Sequence, residues 1–136
     1  MKQGDERVEV TLAEGARSGL ASIVQQYLDQ QLSESAARRA RAAKLRGRLG
    51  LSATDYGVSV TVDFGPHGIA IMDGMQAPLD ASIAGPYASL TRLLQGRTNP
   101  LVEHLRGRLK VTATLRNLLL PLRVHGLVKL SPERAR

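Results

Sequence analysis

The chain has 136 residues, enough to bury one hydrophobic core but not two. The absence of cysteine excludes disulfides, thiolate metal sites and cysteine nucleophiles. A formal charge of +7 favours anionic partners, whether nucleic acid, anionic lipid headgroups or acidic proteins, without choosing among them.

Residues 1–10 read as a short strand or a frayed arm. Thr11-Leu12-Ala13-Glu14 fits a capping box, with Thr11 as the cap and Glu14 at the third helical position. Gly15 and Gly19 weaken that start by about 1 kcal/mol each relative to alanine, which makes Ser18 the alternative cap. Leu20, Ile23, Val24, Tyr27, Leu28 and Leu32 then recur at spacings of three and four, one stripe of a helix. Over 33–46 a thin apolar line of Ala36, Ala40 and Ala43 is crowded by Arg38, Arg39, Arg41, Lys44 and Arg46. This is a second helix or a continuation of the first, with a solvated basic face and Gly47 as its stop.

From Arg48 the period changes to two. Residues 48–53 alternate weakly. Val58, Val60, Val62 and Phe64 alternate cleanly with Ser59, Thr61 and Asp63. Gly65-Pro66-His67-Gly68 is a turn, Ile69–Met72 a strand, Asp73-Gly74 a turn and Leu79–Ala84 another strand. Pro86 suits the first turn of a helix carrying Tyr87, Leu90, Leu93 and Leu94 and ending at Gly96. Asn99-Pro100 opens a short helix with Leu101, Val102 and Leu105, closed by Gly107. Residues 109–115 alternate as a last strand. The run 118–122 contains Pro121 and reads as a kinked short helix or a lid-like segment, followed by a charged tail at 131–136.

The order predicts a single α+β domain over 1–136: a helical part at about 11–46, then sheet and helices at about 48–130. The sheet is expected to have five strands, mostly antiparallel, with helices packed on one face. Four aromatic residues, Tyr27, Tyr56, Phe64 and Tyr87, leave the core to Leu, Val, Ile and Ala and argue against base-stacking platforms. No apolar run approaches the ~18 residues of a membrane span. The N-terminus is too polar for a secretory signal, so a cytoplasmic location is expected.

The stretch from about Arg48 to Leu130 resembles the sterol carrier protein type-2 domain, the sterol-binding and lipid-transfer fold. The resemblance rests on Gly96-Arg97-Thr98-Asn99-Pro100 followed by Leu105-Arg106-Gly107-Arg108-Leu109-Lys110-Val111. There a glycine closes one helix, a proline opens the next, and a glycine precedes a basic alternating strand. Leu79–Gly85 resembles the strand leading into that helix pair. One departure is Ala113-Thr114, where the family often carries a glycine and an acidic residue. The resemblance implies a hydrophobic tunnel for a sterol, fatty acid, acyl chain or isoprenoid lipid, and a non-catalytic carrier. A role as accessory factor in isoprenoid-quinone biosynthesis, known for bacterial relatives, is the variant reading.

Val60, Val62, Ile69, Ile71, Ile83, Leu90, Leu94, Leu101, Leu105, Val111, Leu119 and Leu122 are the apolar residues expected to face the interior and line such a tunnel. An ordinary closed core would use the same residues. No nucleophile elbow, phosphate loop, metal-ligand spacing or cofactor signature is present, and His67, His104 and His125 read as surface or capping residues. Arg38, Arg39, Arg41 and Lys44 could dock on an anionic membrane or, as a salt-sensitive alternative, on nucleic acid. The scarce aromatics and missing reader motif count against nucleic acid.

Overall fold

The computed structural model describes residues 9–12, 18–66, 68–114 and 117–128. Glu14, Gly15, His67, Leu115 and the tail 131–136 lie outside the described residues.

Thr11 does not cap a helix. It belongs to a strand, β1 (Val10–Leu12). Ser18 caps α1 (Gly19–Ser33), its hydroxyl accepting the Ala21 N–H at 3.0 Å. The buried side of α1 is the expected stripe, Leu20, Val24, Leu28 and Leu32, joined by Ala21 and Gln31.

α2 (Ala36–Lys44) is a separate helix, because Ser35 accepts the Arg38 N–H at 3.2 Å and starts a new N-terminus. Its orientation reverses the expectation. Ala36, Ala40 and Ala43 face solvent, whereas Arg38 and Ala42 are buried. Alanine is too small to dictate a face. Arg38, only 6% exposed, turns inward to donate to the side-chain oxygen of buried Gln31. Arg39 also folds back, donating to the carbonyls of Leu32 at 2.8 Å and Ser33 at 3.3 Å. These are the open carbonyls at the negative end of α1.

The remaining elements are β2 (Gly47–Ala53), β3 (Val58–Gly65), β4 (Gly68–Asp73), β5 (Ala81–Gly85), α3 (Tyr87–Leu94), α4 (Pro100–Leu105), β6 (Lys110–Ala113) and α5 (Leu120–Val128). They build one sheet of six strands in the order β1-β4-β3-β2-β5-β6. The sheet is mixed: β1 runs parallel to β4 and β5 parallel to β2, and the other three pairings are antiparallel. The five-stranded, mostly antiparallel expectation is therefore corrected in two places. The first is the extra edge strand β1. The second is the link from β4 to β5, which makes no tight turn and crosses the outer face of β3 and β2 to reach the far side.

Side chains on that outer face hold the crossing. Thr61 is fully buried; its hydroxyl donates to the Gly74 carbonyl and accepts the Gln76 N–H, both at 2.8 Å. Arg48 donates to the carbonyls of Gln76 at 3.1 Å and Ala77 at 3.2 Å and pairs with Asp63 at 3.2 Å. Gly50 lies beneath Met75, and a Cβ there would stand 2.5 Å from the Met75 sulfur.

The core lies on the other face. Leu51 is flanked by Val60 and Ile83, and Leu49 by Val62 and Ala81. Phe64 opposes Ile69. Each fully buried side chain of this size contributes about 1.5–3 kcal/mol. Helices α1, α3 and α5 cover this face, while α4 packs beside β6 and α5. As expected, Asn99 caps α4 with Pro100 in its first turn. Gly96 and Gly107 follow α3 and α4 with φ of 76°, a left-handed conformation that stops each helix.

Candidate functional site

Between the sheet and the three covering helices lies an enclosed apolar cavity of about 30 Å³. Its floor is Leu49 and Leu51 of β2, Val62 and Phe64 of β3, and Ile83 of β5. Val24 and Leu28 of α1 form one wall, and Leu93 and Leu94 of α3 with Pro100 of α4 form a second. Pro121, Val124 and His125 of α5 close the remaining side. His125 is the single polar side chain among these. The spacing of Pro121 and His125, one helical turn, puts both on the inner face of α5.

The expected site residues divide into four groups. Val62, Ile83 and Leu94 reach the cavity. Val60, Ile69, Ile71 and Leu90 are buried in the surrounding core but not on the cavity wall. Leu101, Val111, Leu119 and Leu122 line a separate, open groove on the outside, between α4, β6 and the start of α5. Leu105 is 76% exposed and lines neither. Leu101, Leu105, Leu119 and Leu122 thus do not face the interior, which corrects the sequence reading. A six-residue helix and the first turn of α5 have too few turns to submerge every leucine they carry.

Three contributors escaped sequence reasoning. Val24 and Leu28 were visible as part of the α1 stripe, but nothing local says that this stripe faces a gap. His125, expected at the surface, is half-buried on the cavity wall. His104 fits its expected capping role: Nδ1 accepts the Val111 N–H at 3.1 Å and ties α4 to β6.

Glu103 was not singled out at all, yet it organises the turn between α4 and β6. Its residue is 1% exposed. The carboxylate accepts from Arg108 at 2.8 and 2.6 Å and from the Thr98 hydroxyl at 2.8 Å. Its backbone carbonyl accepts from the N–H groups of Arg108 and Leu109. The Arg108 hydrogen bonds, helped by Thr98 and opposed by burial, lower its pKa to about 2. This cluster is structural; it touches no cavity.

Among the described residues, no group of His, Asp and Glu could hold a metal ion, and no helix is long and apolar enough to cross a membrane. The fold and the cavity together define an α+β binding module with a mixed sheet and an apolar interior. Residues 24–112 match the SCP-2 sterol transfer family, and the chain belongs to that family.

Solved structures agree. A sterol carrier protein 2 is 27% identical with a TM-score of 0.55, covering 79% of this chain and 91% of that one. A conserved Thermus thermophilus protein linked in its title to sterol carrier proteins is 25% identical with a TM-score of 0.54, covering 88% and 95%. The SCP2 protein of ubiquinone synthesis, UbiJ, has a TM-score of 0.62 at 18% identity, covering 80% and 92%, a likeness of fold. No curated protein sequence matches the chain.

Proposed function

We propose that the chain is a non-catalytic lipid-binding domain that takes the apolar part of one lipid between β2, β3 and α5. The observation that carries this reading is the lining. Twelve of the thirteen residues around the cavity are apolar, and His125 alone can bond a ligand's polar end. Burying methylenes is worth about 0.8 kcal/mol each, so such walls bind lipid with little polar help.

The cavity of about 30 Å³ is far below the several hundred Å³ that ligand pockets occupy. Binding therefore requires an opening, and α5 is the element to move. It joins the sheet from the C-terminal side, lies over β2, β5 and β6, and holds its N-terminal approach through Asn117, which donates to the Arg46 carbonyl at 2.9 Å. The ligand classes to compare are a fatty acid, a sterol and an isoprenoid quinone. The last belongs there because the ubiquinone-synthesis protein shares this fold.

Titration with a fluorescent fatty acid tests the reading. Saturable binding at micromolar concentration is expected. Leu51→Phe, which fills the cavity floor at a cost of about 1–3 kcal/mol in stability, should weaken binding more than tenfold while the chain stays folded by circular dichroism. Failure of every ligand class to bind the folded wild-type chain overturns the proposal.

A further inference from the structure

Eight large apolar residues are exposed among the described residues, and six of them belong to one region: Leu101, Val102 and Leu105 of α4, with Leu118, Leu119 and Leu122 at the start of α5. Leu105 is 76%, Leu118 57% and Leu101 53% exposed. The groove lined by Leu101, Leu118, Leu119 and Leu122 joins the two helices into one surface. Isolated exposed leucines are ordinary, but a contiguous set marks an interaction site.

The charge of this region narrows the occupant. From Gln95 to Val128 the sequence has six lysines and arginines and one acid, Glu103. That acid is buried and held by Arg108 and Thr98, so it presents no negative charge outward. Arg97, Arg106, Lys110 and Arg123 are exposed on α4, β6, α5 or the turn before α4. Apolar side chains fringed by cations alone complement an anionic lipid bilayer, whose acyl layer accepts leucines and whose headgroups accept the cations. A second copy of the same face would bring like charges together. A specific protein interface favours aromatic anchors, and this region has none.

We propose that the α4–α5 face docks on anionic bilayers, in place of the α2 face on which Arg38 and Arg39 are turned inward. This goes with the lipid-binding reading but does not depend on the cavity: α5 carries cavity wall on one side and docking surface on the other, so docking would present the movable helix to the source of its ligand.

Co-sedimentation with vesicles tests it. Wild type should bind phosphatidylcholine vesicles containing phosphatidylglycerol, bind pure phosphatidylcholine weakly, and release at high salt. Val102→Glu and Leu118→Glu should each cut partitioning about tenfold and together abolish it, with unchanged melting temperature. Arg41→Glu with Lys44→Glu on α2 should retain most of it. Absence of binding by wild type overturns the proposal, as does loss through the α2 variant with the leucine-face variants unaffected. So does a wild-type dimer in sedimentation equilibrium that the two glutamates convert to monomer without any vesicle binding. Fluorescent fatty-acid titration of the double variant in vesicle-free buffer keeps the two readings apart: retained probe binding with lost vesicle binding supports docking through this face, and vesicle binding by a wild type that takes up no probe leaves docking standing while the cavity reading fails.

Discussion

Glu103 shows how much one side chain can organise without announcing itself. In sequence it is one of twelve acids. In the fold it accepts both arms of Arg108 and fixes the turn that sets β6 against β5. Its pKa of about 2 against an ordinary 4.5 means the folded state holds its proton less tightly than the unfolded state. The stabilisation is thus complete above about pH 4.5 and is lost as pH falls toward 2. Glu103→Gln should cost about 1–2 kcal/mol at neutral pH once screening at the exposed Arg108 end is counted. Urea unfolding as a function of pH checks this: the gap between variant and wild type should close as pH falls from 4.5 toward 2. A gap that is constant across that range contradicts the assignment. The pairing was not legible in sequence because Glu103 and Arg108 meet only when Gly107 turns the chain back at positive φ. The Ser18 cap and the alternation of Val58 to Phe64 were legible, since each is decided by neighbours within a few residues.

The helices were legible as helices and less so as faces. The α1 stripe is built from large residues at regular spacing, so its buried side follows from the pattern. The α2 pattern is built from alanines, and its buried side was set by the Gln31–Arg38 bond instead. α4 and the first turn of α5 are leucine-rich on all sides, so no period distinguishes cavity from surface, and four expected cavity residues proved to lie outside. α5 itself has the features of a movable element. It has nine residues, too few for stability without packing, and Pro121 and Gly126 both disfavour helix. Hydrogen exchange should find α5 amides faster than those of β2 and β3, and slowed when a fatty acid is bound. Protection in α5 equal to that of β3 and indifferent to ligand would contradict its role as the opening element.

The molecule as a whole was legible in the order of its elements and not in how the strands neighbour one another. Alternation says which residues share a face of a strand, but it is silent on which strand lies beside it. The crossing from β4 to β5 is held by Thr61, Gly50 and Arg48, all on the outer face, where the hydrophobic pattern carries no signal. The family resemblance carried by Gly96 to Val111 supplied what the apolar stripes could not, the expectation of an interior that admits a ligand. The enclosed space of about 30 Å³ sharpens that expectation into a conditional one: the walls suit lipid, and the helix over them has to yield. Native mass spectrometry of the chain equilibrated with oleate reads this most directly. The account predicts a folded charge-state distribution carrying the mass of one oleate, and loss of that adduct in Leu51→Phe. A folded chain that retains only its bare mass, for oleate, a sterol and an isoprenoid quinone alike, would contradict it.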